Sequence, residues 1–204
     1  LHTTVFAKYT YNICGQIATI SWSPYVGWDD LAGYEIYGRL AGGPWTLFGT
    51  TTQNLFATPV TGLEIYEFAI KAFSTSGKQS FSNKINVSAV APSEPDFNYT
   101  RVATVMDDYV RIKHYIEVVG GVSEILLERK NDNGVFVPLA RIPVTSENVD
   151  YIDNEVTPDR KSYYYRVKII DSCGNEGATA NEVRTMLLKV QTNDIRMTNY
   201  LSWN

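Results

Sequence analysis

Residues 66–72 read Tyr-Glu-Phe-Ala-Ile-Lys-Ala, and residues 163–169 read Tyr-Tyr-Tyr-Arg-Val-Lys-Ile. In both stretches every second side chain is apolar or aromatic, and the side chains between them are mostly polar. Such an alternation is typical of antiparallel strands that bury one face and expose the other. The two stretches begin 97 residues apart, so the pattern also indicates an internal repeat.

Two further motifs recur in the same order along the chain. Gly33-Tyr34-Glu35-Ile36-Tyr37 corresponds to residues 124–128, at a distance of 91 residues. Ile20-Ser21-Trp22-Ser23 returns as Leu201-Ser202-Trp203-Asn204, 181 residues later. Halfway between them, residues 110–114 show the same alternation with His114 in the place of the tryptophan. The period is therefore about 90 to 100 residues, close to the common size of a small domain.

This repeat predicts the domain organisation of the 204 residues. We expect one domain over residues 1–91, a second over residues 92–190, and the start of a truncated third repeat over residues 191–204. The segment 91–95 contains two prolines, which disfavour helix in the residues before them and suit a short, stiff linker. Because the sequence begins without Met or a signal peptide and ends inside a motif, we expect it to be a piece of a longer protein.

The composition excludes several classes of protein. Hydrophobic residues make up 44% and aromatic residues 13% of the chain, which excludes a disordered tail. The net charge is −4, so there is no basic footprint for a nucleic-acid partner. No apolar run approaches the roughly 20 residues of a membrane-spanning helix, and we therefore expect no membrane span in this fragment.

The pattern of strands and turns predicts an all-β fold. Turn signals such as Gly42-Gly43-Pro44 and Asn133-Gly134 separate the alternating stretches at short intervals, and no stretch has the period of an amphipathic helix. About seven short antiparallel strands in each repeat of 90 to 100 residues are typical of a β-sandwich. We expect two such sandwiches in tandem.

The motifs themselves resemble the fibronectin type III domain, an immunoglobulin-like sandwich. The resemblance rests on a Trp in the second strand, on Gly-Tyr-x-Ile in the third, and on Leu63 ahead of Tyr66 in the sixth. It implies core positions for five residues and, among them, tyrosine corners whose hydroxyls bond to the upstream backbone. The implied core residues are Trp22, Tyr34, Tyr66, His114 and Tyr163, of which Tyr66 and Tyr163 are the corners. With His114 in place of Trp, the second core must be repacked or partly open.

A narrower resemblance concerns residues 14–15, 20–28 and 171–175. They are similar to the tandem repeats of large Bacteroidetes surface proteins, which often carry a gliding-motility-associated C-terminal segment and are exported by the type IX route. The resemblance implies an extracellular, cell-surface or periplasmic location and an adhesion or spacer role.

The fibronectin-type fold also gives an expectation for the two cysteines. It places Cys14 in the first loop of domain one and Cys173 in the last loop of domain two, and head-to-tail stacking would bring these loops together. We expect a Cys14–Cys173 disulfide, which requires an oxidising compartment. Two unpaired cysteines, or a bond from Cys14 to an upstream domain, are the alternatives.

Catalytic and metal-binding motifs are missing from the sequence. It contains only two histidines and neither paired zinc-ligand spacings nor a nucleophile elbow. We therefore predict that the chain is not an enzyme and has no catalytic residues, no metal and no cofactor. The densest acidic segment contains Asp150, Asp153, Glu155 and Asp159, but its spacing differs from a calcium loop, and we interpret it as a solvated loop.

Three aromatic residues outside the predicted core remain as candidates for ligand binding: Tyr25, Trp28 and Trp45. Exposed aromatic residues can stack on sugars or anchor protein partners. The alternative is local packing, with Trp28 capping the sandwich and Trp45 covering a sheet edge.

The sequence as a whole predicts a non-catalytic spacer or adhesion module of a larger secreted or cell-surface bacterial protein. Its partners would be an unidentified protein or glycan at the cell surface and the neighbouring domains of the same chain. The alternative is a carbohydrate-binding accessory module of a polysaccharide-degrading system, with Tyr25, Trp28 and Trp45 as its platform.

Overall fold

The computed structural model describes residues 2–204 and divides into two compact units, Leu1–Ala91 and Pro92–Asn204. Strands are the only regular elements of residues 2–204, so the described chain has no helix that is long and apolar enough to cross a membrane. Those of the first unit are β1 (Ala7–Asn12), β2 (Ile17–Trp22), β3 (Leu31–Leu40), β4 (Thr46–Thr51), β5 (Leu55–Pro59), β6 (Ile65–Ser74), β7 (Gln79–Phe81) and β8 (Ile85–Ser88). Those of the second unit are β9 (Asn98–Met106), β10 (Tyr109–Ile116), β11 (Val122–Lys130), β12 (Phe136–Pro143), β13 (Asn148–Asp153), β14 (Tyr164–Asp171), β15 (Glu176–Thr179), β16 (Val183–Arg184), β17 (Leu188–Asn193) and β18 (Thr198–Trp203).

The first unit consists of two antiparallel sheets. One has the strand order β1-β2-β5, and the other has the order β4-β3-β6-β7, with β8 also paired to β6. Because β5 returns to β2 and β6 returns to β3, the chain crosses between the sheets, as in an immunoglobulin-like sandwich. Buried side chains of both sheets form one core, whose members include Ile20, Trp22, Tyr34, Ile36, Phe68 and Ile70.

The second unit repeats this arrangement. Its sheets have the orders β9-β10-β13 and β12-β11-β14-β15, and β16 also pairs with β14. In each unit the final strand is divided into two short pieces, so that seven strand positions are occupied. The second core contains Ile112, Ile125, Leu127, Val149, Tyr165 and Val167. The prediction of an all-β chain with two tandem antiparallel sandwiches is confirmed.

Residues 188–203 form a separate hairpin of β17 and β18. In its register Leu188 lies opposite Trp203, as Ala7 lies opposite Trp22 in the hairpin of β1 and β2. The last residue of each connecting turn has a positive φ, 51° at Gln16 and 50° at Met197. The two hairpins therefore have the same geometry.

The environment of this hairpin differs from that of β1 and β2. Every residue of β18 is exposed, and so are the apolar residues of β17. Its attachment to the preceding chain includes the Asn204 side chain, which accepts a hydrogen bond from the Leu187 amide at 2.5 Å and donates one to the Thr185 carbonyl at 3.0 Å. The sequence placed the start of the third repeat at residue 191, whereas the hairpin begins at Leu188.

Candidate functional site

The residues that the sequence assigned to the first core lie there. Trp22 and Tyr34 are buried and contact each other edge to face, with ring centroids 5.3 Å apart. Tyr66 is half-buried against the same core, and its hydroxyl donates a hydrogen bond of 3.2 Å to the Thr61 carbonyl. This contact has the form of a tyrosine corner, because it ties the start of β6 to the loop before it.

The corresponding tyrosine of the second unit makes a different contact. Tyr163 is buried, and its hydroxyl accepts a hydrogen bond of 2.8 Å from the Thr157 amide. The Tyr163 amide in turn donates to the Thr185 hydroxyl at 2.8 Å. Tyr163 thus also fixes the loop before the sixth strand position, but its hydroxyl accepts from a backbone amide, whereas that of Tyr66 donates to a backbone carbonyl.

His114 occupies the core position that Trp22 has in the first unit. Its ring is buried, and Nδ1 shares a hydrogen bond of 3.2 Å with the Thr100 hydroxyl. Burial lowers the pKa of His114 to about 4, because the apolar surroundings disfavour the charged imidazolium. The smaller ring leaves a cavity of only about 10 Å³ beside it, so the neighbouring side chains have repacked.

Tyr25 and Trp28 do not form the exposed platform that was considered for them. Tyr25 is buried, and its ring lies 4.1 Å from the ring of the half-buried Trp28. The Tyr25 amide donates to the Tyr34 hydroxyl at 3.0 Å, and the Tyr25 hydroxyl shares a hydrogen bond of 3.0 Å with His2. Both rings therefore pack against the first core, as in the local alternative.

Trp45 lies apart from that pair, on the outer face of the sheet formed by β3, β4, β6 and β7. It is exposed, and the Arg39 guanidinium lies 4.5 Å from its ring centroid. Arg39 is itself held by Glu67, at 2.5 Å, and by the Gly43 carbonyl, at 3.1 Å. Trp45 therefore has a defined neighbour on one side and solvent on the other.

The same outer face carries a second ordered group of polar side chains. Lys71 Nζ lies 2.5 Å from a carboxylate oxygen of Glu35, and the Tyr37 hydroxyl donates to that oxygen at 2.8 Å. The hydrogen bonds from Lys71 and Tyr37 lower the pKa of Glu35, and the Glu35 carboxylate raises the pKa of Lys71. Both groups consequently stay charged and paired at neutral pH.

A groove of about 420 Å³ separates these side chains on the outer face. We call this groove the trench. It is lined by Tyr37, Trp45, Ala69, Lys71, Gln79 and Phe81. Of these residues only Trp45 was a candidate in the sequence. The others were missed because β3, β6 and β7 supply them from distant parts of the chain. One feature of the sequence could have indicated the groove. Within the alternating stretch 66–72, Ala69 is a small residue at the position where the second copy has Arg166.

The acidic segment is not a solvated loop throughout. Asp150 lies on β13 and pairs with Arg111 at 2.9 Å. Asp153 is buried and accepts hydrogen bonds from Arg129, at 2.6 Å, and from the Tyr165 hydroxyl, at 2.8 Å. These strand contacts account for Asp150 and Asp153, whereas Glu155 and Asp159 follow β13 and are exposed. Within residues 2–204 no group of three or more His, Cys, Asp or Glu is placed to hold a metal ion.

The two cysteines lie in turns. Cys14 lies in the turn between β1 and β2, where the Asn12 side chain accepts a hydrogen bond from its amide at 3.1 Å. Cys173 lies in the turn between β14 and β15, where Asp171 accepts from its amide at 2.8 Å. Neither cysteine is a free thiol; both are in the disulfide state.

Comparison with known proteins yields structural similarity only. No protein-family model matches the chain, and no curated protein matches it significantly. The fibronectin(III)-like modules of Clostridium thermocellum CbhA are 12% identical, with a TM-score of 0.38 over 88% of this chain and 93% of that one. A Fn3-like protein from Clostridium thermocellum is 21% identical, with a TM-score of 0.33 over 50% of this chain and 99% of that one. The strand order of both units is itself fibronectin type III-like.

Proposed function

We propose that the chain is a non-catalytic spacer or adhesion segment built from serial fibronectin type III-like sandwiches. The observation that carries this proposal is the repetition of one architecture, twice as a complete sandwich and once more as the hairpin of β17 and β18. An array of such units sets the distance between the segments of the protein on either side of it.

The buried ionisable side chains support a structural role. Glu67 is paired with Arg39 and Lys84, and Glu128 is paired with Arg166 at 2.5 Å. His114 is held neutral in the core. A general acid or base needs a pKa near the working pH and access to a substrate; the buried His114 ring, with its pKa of about 4, has neither.

The cysteines support a stiff connection between the units. The chain contains two cysteines, and neither is a free thiol, so we propose that Cys14 and Cys173 pair with each other. A bond between these turns would restrict rotation about the Pro-containing linker. It would also assign the chain to an oxidising compartment, hence to the cell exterior or the periplasm.

Peptide mapping tests the pairing directly. The protein is alkylated and digested without reductant, and the peptides are identified by mass spectrometry before and after reduction. A peptide pair joined through Cys14 and Cys173 is expected, and it should disappear on reduction. Recovery of both cysteines alkylated, or joined to other molecules, would overturn the proposed connection.

The hairpin of β17 and β18 supports a third repeat. One of its faces carries Leu188, Val190, Leu201 and Trp203, all of them exposed. By register, Leu201 and Trp203 correspond to Ile20 and Trp22, which are buried in the first core. We propose that further strands of a third sandwich cover this face, with the third unit starting near Leu188.

The narrower resemblance leads to a proposal about origin. The motifs around Cys14, Trp22 and Cys173 support a Bacteroidetes surface protein with a gliding-motility-associated C-terminal segment. The sequence of the full gene product tests this proposal, since a signal peptide and a C-terminal sorting segment are expected. A gene product without either segment would overturn it.

A further inference from the structure

The trench of the first unit exists because of one small residue. Ala69 lies in the middle of β6, and its register partner on β3 is Tyr37. On the other side of β6, Phe81 pairs with Lys71. Side chains at alternate positions of a strand share a face, so the methyl group of Ala69 forms a low floor between these larger neighbours. Trp45 and Phe81 are exposed, and their rings remain accessible to a ligand.

The second unit shows that the fold does not require this opening. Arg166 and Glu128 correspond to Ala69 and Tyr37, as the registers of β3 with β6 and of β11 with β14 indicate. Phe136 corresponds to Trp45, because each directly precedes the residue that pairs with Gly38 on β3 or with Arg129 on β11. Arg166 lies 4.2 Å from the Phe136 ring centroid and 2.5 Å from Glu128. In the second unit, an Arg–Glu pair thus occupies the position that is open in the first unit.

The polar groups around the trench are held in place before any ligand binds. Glu35 fixes both Lys71 and the Tyr37 hydroxyl, and Glu67 fixes Arg39 beside Trp45. Each cation is therefore neutralised by a carboxylate, and the trench offers no unpaired charge to an ionic ligand. The Gln79 amide and the remaining hydrogen-bonding capacity of Lys71 and Tyr37 suit the hydroxyl or carbonyl groups of a ligand.

We infer that the trench binds a neutral oligosaccharide. A pyranose ring has apolar C–H faces and a rim of hydroxyl groups, which matches aromatic walls beside neutralised polar groups. The volume of about 420 Å³ lies in the range of small-molecule sites and accommodates a short segment of a chain. This inference is independent of the pairing of the cysteines.

Binding to soluble sugars tests the inference. Neutral hexasaccharides of glucose, xylose, mannose and galactose are titrated into the full chain and followed by calorimetry and by the NMR signal of the Trp45 indole N–H. We expect at least one sugar to bind with a millimolar or lower dissociation constant and to shift this signal. Absence of binding by all four sugars at millimolar concentration would overturn the inference.

Matched variants locate the site. Ala69→Arg copies the filled position of the second unit, and Trp45→Ala removes one wall; each should weaken binding roughly tenfold or more. Phe136→Ala, at the corresponding position of the second unit, is the control and should leave the affinity unchanged. Thermal unfolding verifies that each variant is folded.

Two results would contradict the assignment of the trench. In the first, sugar binding persists in both Ala69→Arg and Trp45→Ala. In the second, the sugars do not bind, but sedimentation shows that the chain self-associates and that Ala69→Arg abolishes this association. The occupant would then be a second copy of the chain.

Discussion

Trp22 and His114 show how one core position tolerates two different rings. Within the described residues, both rings are buried with one nitrogen unpartnered, Nε1 of Trp22 and Nε2 of His114. A buried donor or acceptor without a partner costs about 1–3 kcal/mol, so packing of the ring has to outweigh that cost in each unit. The cavity that remains beside His114 has a volume of about 10 Å³, at the lower limit for a single water.

The burial of His114 predicts a pH dependence of the second unit. Its pKa is lowered from 6.5 to about 4 in the folded state, so between these values the unfolded chain binds the proton and the folded chain does not. The free energy of unfolding is therefore fully retained above pH 6.5 and falls as the pH decreases towards 4, by about 3 kcal/mol. Hydrogen exchange of peptides from β10 and β14, measured at several pH values, reports this loss.

His114→Phe is the matched variant for this measurement, because it keeps an aromatic ring and removes the titrating group. Its second unit should lose much less stability over the same interval, and the first unit should respond equally in both proteins. An identical pH profile for wild type and variant would show that His114 is not responsible.

The buried pair of Arg129 and Asp153 predicts a large effect of a single substitution. Asp153 exposes only 1% of its side chain and lies 2.6 Å from Arg129. Arg129→Met would leave the buried carboxylate without its cation and should destabilise the second unit by about 3–5 kcal/mol. Denaturant unfolding of the full chain, followed by exchange of β13 peptides, measures this loss.

Arg111→Met is the control, because Arg111 and Asp150 form an exposed pair on the neighbouring strands. We expect little change in stability from it. Equal effects of the two substitutions would mean that the Arg129–Asp153 pair is not shielded from solvent.

At the level of elements, period-two alternation identified the strands, whereas burial of a particular side chain depended on its neighbours. Tyr66 and Tyr163 begin stretches whose pattern is local, so the sequence predicted their strands and their core faces. Asp153 lies in a segment of high charge, and its burial depends on Arg129 and Tyr165, which come from other strands. The trench likewise depends on Tyr37, Ala69 and Phe81, which lie next to each other on three different strands. A local sequence pattern does not predict such a neighbourhood.

The hairpin of β17 and β18 predicts effects of very different size for two tryptophans at the same repeat position. Trp22 exposes 5% of its surface and Trp203 exposes 65%. Trp22→Ala should destabilise the first unit by about 3–5 kcal/mol, and Trp203→Ala should change the second unit by less than about 0.5 kcal/mol. Unfolding of each variant, resolved by unit through hydrogen exchange, measures both effects.

A large loss of stability in Trp203→Ala would contradict the account of this hairpin, since it would mean that Trp203 packs on the second unit in solution. Binding of a hydrophobic dye gives a second readout. It should decrease in Trp203→Ala, because part of the exposed apolar face is removed.

At the level of the whole molecule, the chain combines two closed sandwiches with a short Pro-containing segment and two cysteines in the disulfide state. The number and the type of the sandwiches could be predicted from the sequence, because each repeat carries its own turn and strand signals. The filling of the groove position by Arg166 in the second unit could not be predicted, because it becomes visible only when the surroundings of Arg166 and Ala69 are compared in three dimensions. A spacer needs defined length and stiffness, and in our proposal the Cys14–Cys173 bond supplies the stiffness.

Small-angle X-ray scattering of the oxidised protein and of the C14S/C173S double variant measures this stiffness directly. With the bond in place, one arrangement of the two units should fit the scattering curve. The double variant should have a larger radius of gyration and require an ensemble of arrangements, while hydrogen exchange shows both sandwiches still folded. Identical curves for the two proteins would contradict the claim that the disulfide makes this tandem a stiff spacer.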